Sequence, residues 1–204
     1  MPRIEAQRRA AQIFMTLATL AVLTAGISIA ISIALSPWFS FTNNALSDLG
    51  NLALHPATGG IFNAGLILSG LLVASASILA AHSWTNWANL SWLSPLGVAG
   101  LDLTLIGFFP ENTGRIHLWV SIVFFALISI TMLIYSYASW PLGSPAIGAL
   151  ALAFGISSPV IWFAPWPWRG VAIQEAATSA MAPIWFILVS RQVLRSSGRR
   201  MESP

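Results

Sequence analysis

The stretch AQIFMTLATLAVLTAGISIAISIAL, residues 11–35, contains no charged residue and is long enough to cross a lipid bilayer as one helix. A transmembrane helix needs about 20 mostly apolar residues. The stretch follows a basic start, as the core of a signal peptide does, but it is longer than such a core and no convincing cleavage site precedes Pro37. We therefore predict that residues 11–35 form a permanent membrane helix.

Five further segments meet the same criteria of length and apolarity, at about 61–81, 91–109, 118–139, 145–164 and 171–190. The composition agrees, because 56% of the residues are hydrophobic and only 7% are charged, whereas soluble domains carry about 25% charged residues. Six spans leave little of the 204 residues for a soluble domain. The sequence predicts an all-α, polytopic membrane protein in which residues 1–204 form one compact bundle of six transmembrane helices.

The basic residues indicate the orientation of the bundle. All nine are arginines, and seven of them lie near the two chain ends. An even number of spans places both ends on one side, and the positive-inside rule places arginine-rich ends in the cytoplasm. We predict a multi-pass protein of the cell membrane with both termini cytoplasmic and residues 191–204 as a basic tail. Arginines beside apolar helices indicate contact with lipid headgroups, and we expect no nucleic-acid partner.

Tryptophans and small residues give two further expectations about packing. Several tryptophans, including Trp84 and Trp92, fall near predicted helix ends, where indoles favour the headgroup region. Small residues at helical spacing, such as Gly70, Ala74 and Ser77, predict helices that pack closely within the membrane.

Polar residues are concentrated in the connections predicted to face outward, at about 36–60, 110–117 and 165–170. The first connection, which contains FTNNALSDLGNLALHP (residues 41–56), carries Asp48 and His55. The second connection carries Glu111, Arg115 and His117, and the third, with the start of helix six, carries Arg169 and Glu175. Three connections thus deliver acids, histidines and arginines to one end of the bundle, which predicts a shared polar site.

Three residues lie deeper than these connections. Asp102 is seven residues before Phe109, which at about 1.5 Å per residue puts it on the order of 10 Å below the outer end of its helix. A buried acid in a membrane marks a functional site by default, although a protonated Asp102 would also serve as a structural hydrogen-bond donor. Glu175 and Asn63 each lie about one turn inside their helices.

Each candidate also has a structural explanation. Asp48, in NNALSDLG, is suited to capping a turn or a short helix. Glu111 suits the N-terminus of a helix, where negative charge is favourable. His55 and His117 are also consistent with interfacial positions, and Arg115 and Arg169 with contacts to lipid phosphates.

Three segments resemble the uncharacterised prokaryotic membrane family called domain of unknown function 998. These are NNALSDLGN followed by HPATGGIFNAGLILSGLL, then IGFFPENTGRIHLWVS, and WRGVAIQEAAT. The resemblance covers most of the chain and implies six membrane helices but no established chemistry. The positions that match the family are Ser47, Asp48, Gly50, Asn63, Pro110, Glu111, His117 and Glu175.

These observations leave three functions open. The first is an outward-facing site for binding, hydrolysing or transferring part of a lipid, with acids and histidines as general acid and base. The proposed catalytic residues are Asp48, Glu111, His117 and Glu175, and the proposed substrate-binding residues are Asn44, Ser47, Asn63, Arg115, Arg169 and Asp102. His55 and His117, with Asp48 or Glu111, would also suit a divalent metal such as zinc.

The second function is proton- or cation-coupled transport through Asp102 and Glu175. The third is an accessory subunit of a larger membrane complex, or of a homo-oligomer, whose polar loops contact a partner. Haem is not expected, because neither His55 nor His117 lies deep within an apolar helix. Membrane lipids are the partners that all of these readings share.

Overall fold

The computed structural model describes the backbone of residues 2–202 and the side chains of residues 5–196. The described chain contains six long helices, which are α1 (Pro2–Ala34), α2 (Pro56–Ser83), α3 (Trp87–Phe108), α4 (Arg115–Ala138), α5 (Pro145–Phe163) and α6 (Ala172–Glu202). Two short 3-10 helices, Leu46–Gly50 and Glu111–Thr113, lie in the connections between them. All six long helices are long and apolar enough to cross a membrane, which confirms the predicted all-α, polytopic fold.

Helix boundaries differ from the sequence prediction where local chemistry extends a helix into a polar segment. Helix α2 begins at Pro56, because proline is well suited to a first helical position that needs no backbone donor. Helix α3 begins at Trp87, and the side chain of Asn86 caps it by accepting a hydrogen bond of 2.9 Å from the Asn89 amide. The backbone of α6 continues as a helix through Arg191 to Glu202, so the predicted tail begins as an extension of α6.

The helices pack in chain order around a ring, and α6 closes the ring against α1. The three connections at one end of the bundle, 35–55, 109–114 and 164–171, are called the cap here. The opposite end is called the termini end, because α1 begins there and α6 ends there. The ring leaves space inside the bundle on both sides of a layer of aromatic side chains.

Close helix contacts rely on the small residues that the sequence predicted for this purpose. A Cβ atom at Gly70 of α2 would lie 2.5 Å from the carbonyl oxygen of Gly100 in α3, and one at Gly100 would lie 2.6 Å from the Ala74 nitrogen. Such backbone proximity tolerates only glycine, because any side chain would collide with main-chain atoms that cannot move independently.

Trp84 is the C-cap residue of α2 and Trp92 lies in the second turn of α3, near the helix ends where the sequence placed them, but both side chains point into the bundle. Both are buried, and Trp92 packs edge-to-face against Phe14, Tyr135 and Trp185 with ring centroids 5.4–6.0 Å apart. Edge-to-face pairs bring the positive edge of one ring to the negative face of the next. These rings form an aromatic layer that lies toward the termini end of the bundle.

Candidate functional site

The first connection of the cap is folded by its own polar side chains. Asp48 Oδ2 accepts hydrogen bonds of 3.0 Å from the Asn44 side chain and from the backbone amide of Ala45. Asn44 Oδ1 accepts in turn from the amide of Ser40, also at 3.0 Å. The carboxylate therefore reaches back to the residue before the 3-10 helix Leu46–Gly50, which confirms the capping role that the sequence suggested for Asp48.

Glu175 joins this connection to α6. It lies in the first turn of α6, and its side chain is buried. Its Oε2 atom accepts a short hydrogen bond from the Leu46 amide, and the Ser47 amide also donates to the carboxylate. Asp48 and Glu111 lie close enough for their charges to act on Glu175. The buried acid thus supplies an acceptor for backbone donors of the first connection.

The connection between α5 and α6 is joined to the first connection through the backbone. The amides of Arg169 and Gly170 donate to the Thr42 carbonyl at 3.1 and 2.9 Å, and the Ala172 amide donates to the Asn44 carbonyl at 3.0 Å. A Cβ atom at Gly170 would lie 2.2 Å from that carbonyl oxygen. Glycine at this position is what lets the two segments approach and brings Glu175 to Leu46.

Glu111 and His117 form a pair at the start of α4. His117 is 4% exposed, and its Nδ1 atom lies 2.7 Å from the Phe109 carbonyl oxygen. A carbonyl only accepts, so Nδ1 carries a proton and donates. The Nε2 atom lies 3.0 Å from Glu111 Oε2, which is close enough for an ion pair. The two atoms do not form a hydrogen bond.

Nδ1 of His117 is therefore used by the Phe109 carbonyl, and Nε2 is buried beside the Glu111 carboxylate. His117 positions Glu111, whose side chain is 30% exposed and is the more accessible member of the pair. This arrangement favours a positioning role for His117 over the catalytic role that the sequence suggested.

Asn63 supports the cap from below. Its Nδ2 atom donates to the Gly50 carbonyl at 2.8 Å, while its buried Oδ1 atom has no hydrogen-bond partner among the described residues. A Cβ atom at Gly50 would lie 2.7 Å from Oδ1. Asn63 thus fixes the end of the 3-10 helix rather than facing an open site.

The structure brings together residues from all three connections, as the sequence predicted, but not all of the candidates. The second connection also joins the first through Asn112, whose side-chain oxygen accepts a hydrogen bond of 3.1 Å from the Leu52 amide. His55 lies apart and stacks on Trp38 with ring centroids 4.3 Å apart. The side chains of Arg115 and Arg169 are exposed, and Arg169 joins the hydrogen-bonded cluster only through its backbone amide.

Metal binding gains no support from this arrangement. Within residues 5–196, no three His, Cys, Asp or Glu side chains are grouped as metal ligands. His55 stacks on an indole, and His117 pairs with Glu111. The proposed set of His55, His117 and a carboxylate is therefore not assembled in this structure.

Asp102 occupies a separate position within α3. It is 7% exposed, and its Oδ2 atom is buried without a hydrogen-bond partner among the described residues. An unpaired carboxylate oxygen in an apolar setting is costly, since each buried polar group without a partner loses its hydration. The structural roles that explain Asp48, Glu175 and Asn63 do not explain the position of Asp102.

Beneath the cap lies an apolar cavity of about 540 Å³ inside the helix ring. Small and aliphatic side chains of α1, α2, α3, α4 and α6 line it, and Leu46 and Phe41 of the cap close its upper end. Among its polar lining groups, Ser69 already donates to the Ala21 carbonyl at 2.9 Å. The volume falls in the range of about 300–1,000 Å³ that small-molecule sites occupy.

The cavity opens sideways between α1 and α6. Gly26 and Ala30 of α1, and Ala180 and Ile184 of α6, line the cavity and are also exposed on the surface of the bundle. Pro183 lies in the same wall and lacks the amide that would bond to the Ser179 carbonyl. We call this opening the portal; it faces the region that membrane lipid would occupy.

Sequence reasoning missed the cavity, the portal and the role of Asn112. Cavity-lining and lipid-facing residues are both apolar, so hydropathy does not distinguish them. Asn112 was within reach of sequence analysis, because it lies beside Glu111 in a connection already selected.

Comparison with known proteins adds the family but no activity. The family model described as "Protein of unknown function (DUF998)" matches residues 17–192. No curated protein and no solved structure matches the chain.

Proposed function

The chain belongs to the DUF998 family of proteins of unknown function, and we propose from its structure that it binds the hydrocarbon part of a lipid inside the helix bundle. The observation that carries this proposal is the apolar cavity with a portal between two membrane-spanning helices. An apolar cavity does not hold water well, because water needs two to four polar partners. Hydrocarbon is the abundant molecule beside the portal in a membrane.

The cavity also suggests where the polar end of the lipid lies. Ala176 lines the cavity one residue after Glu175, and Leu46 lines it beside the amide that Glu175 binds. A chain inserted through the portal would therefore have its headgroup at the rim of the cap, near the partly exposed Glu111 and the exposed Arg115. With the arginine-rich termini on the cytoplasmic side, the cap faces outward.

The cap geometry favours binding over hydrolysis. Asp48 Oδ2 holds Asn44 and Ala45, and Glu175 holds the Leu46 amide. A general base needs an atom within hydrogen-bond reach of its proton donor. Asp48 and Glu175 instead use carboxylate oxygens to hold the first connection in place over the cavity.

The test is to identify what the purified protein retains. Native mass spectrometry after exchange into a detergent that strips loosely bound lipid is expected to show one retained lipid per protein. Chromatography of the extracted lipid then identifies it. Protein that carries no lipid above the level of another six-helix membrane protein treated in parallel would overturn the proposal.

A second candidate function, proton-coupled transport, rests on Asp102 alone. Asp102 has a buried carboxyl oxygen without a hydrogen-bond partner among the described residues, and it lies in a helix that is long and apolar enough to span a membrane. Buried acids of this kind are typical of proton pathways. Vesicles that contain a pH-sensitive dye test this candidate. Wild-type protein is expected to pass protons under an imposed potential, and Asp102→Asn is expected to stop this flux while the protein still folds. Equal proton flux in the two proteins would refute it.

A further inference from the structure

A second cavity, of about 480 Å³, lies at the termini end of the bundle. It shares no lining residue with the apolar cavity, and the aromatic layer around Trp92 and Trp185 lies between the two. Its walls come from the beginning of α1, the last part of α6, the connection between α2 and α3, and the connection between α4 and α5. The proposed lipid site does not use it.

The chemistry of this cavity differs sharply from that of the first. Its polar lining consists of amide and hydroxyl side chains, chiefly those of Gln7, Thr85, Asn86, Asn89, Ser144 and Gln192. No charged residue lines this cavity among those whose side chains are described. Arg8, Arg191 and Arg195 are close in sequence to lining residues but do not line it themselves. A lining of this kind offers both donors and acceptors but no counter-charge.

Aromatic rings form the remaining walls and provide two buried polar groups. Trp84, Trp87, Trp92 and Tyr135 line the cavity. The Tyr135 hydroxyl lies 3.1 Å from Ser144 Oγ, and both residues are buried. The indole N–H of Trp92 is buried without a partner among the described residues, and leaving such a donor unpaired costs about the free energy of a lost hydrogen bond.

From these features we propose that the second cavity binds an uncharged, hydroxyl-rich ligand such as a sugar or another polyol. A charged ligand would lose hydration here without gaining an opposite charge from the described lining residues. A polyol would satisfy the amides and hydroxyls as donor and acceptor together. Its C–H groups would pack on ring faces, which carry partial negative charge.

Tryptophan fluorescence provides the test, because three tryptophans line the cavity. The protein in lipid nanodiscs is titrated with methyl glucoside, and with gluconate and glucosamine as charged probes of similar size. We expect a saturable change with methyl glucoside and none with the charged probes. A change that does not saturate, or equal binding of the charged probes, would overturn the proposal.

The two tyrosines of the chain provide a matched pair of variants. Tyr135→Phe removes the hydroxyl inside the cavity, and its loss is expected to weaken methyl glucoside binding about five- to tenfold. Tyr137, on the same helix, is 73% exposed and does not line the cavity, so Tyr137→Phe is expected to bind like wild type. Ser144→Ala provides a second variant should Tyr135→Phe fail to fold, and it is expected to weaken binding similarly. Equal affinities for the Tyr135→Phe and Tyr137→Phe variants would refute the site.

Discussion

A larger side chain placed in the apolar cavity is expected to weaken lipid binding there. Gly26 lines the cavity, and a Cβ atom there would have no neighbouring atom within 4 Å. The side chain of Gly26→Phe therefore begins in open space, and we expect its ring to occupy part of the cavity beside the portal. Replacing a helical glycine also favours the helix slightly, so the variant is expected to fold.

The expected loss of binding can be worked out from contacts. A lipid chain displaced from the cavity returns to a bilayer or micelle that is equally apolar, so the loss comes from packing and not from hydration. Losing roughly 15 contacts of about 0.1–0.2 kcal/mol each amounts to about 2 kcal/mol. This corresponds to a roughly 30-fold weaker affinity. A fluorescent fatty acid titrated into protein at fixed detergent concentration measures the difference.

A second glycine provides the control. A Cβ atom at Gly60 of α2 would likewise have no neighbouring atom within 4 Å, but Gly60 does not line the cavity. Gly60→Phe is therefore expected to bind the fatty acid like wild type. Unchanged binding in Gly26→Phe, or an equal loss in Gly60→Phe, would refute the assignment of the cavity as the lipid site.

Two further predictions concern the cap and are measured as thermal unfolding in detergent. Glu175→Ala leaves the buried Leu46 amide without its acceptor and is expected to destabilise the protein by about 1–3 kcal/mol, whereas Glu5→Ala, on an exposed position, should have no effect. Gly170→Ala introduces a Cβ atom 2.2 Å from a backbone oxygen of the first connection and is expected to cost about 1–3 kcal/mol. Gly60→Ala is its control, and melting temperatures equal to those of the controls would contradict the structural account of the cap.

The sequence predicted the parts of this fold that depend on single segments. Residues 11–35 contain no charged residue and are mostly apolar, so their membrane-spanning character follows from composition and length. Even the meeting of Asp48, Glu111 and Glu175 at one end follows from alternating helix direction. The cap of Asp48 on Ala45 was also predictable, because such contacts join residues three apart.

The sequence could not predict the features that depend on how several helices pack together. The sequence does not show whether the Trp92 side chain points into the bundle or toward lipid. Only the packing of Phe14, Tyr135 and Trp185 around it decides this. His117 was selected for its chemistry, but the Phe109 carbonyl that binds its Nδ1 atom carries no signal in the sequence. The cavity depends on the spacing of α1 and α6, which are far apart along the chain.

Photocrosslinking locates lipid hydrocarbon in the bundle and therefore shows whether the apolar cavity holds it. A fatty acid with a diazirine in its chain is added to the protein in nanodiscs, activated by light and mapped by peptide mass spectrometry. If hydrocarbon occupies the cavity, we expect labels concentrated in residues 21–33 of α1 and 176–186 of α6, which contain the cavity-lining positions of these helices. Labels spread evenly over exposed membrane-facing positions, including Leu152, Ile156 and Val160 of α5, would contradict it.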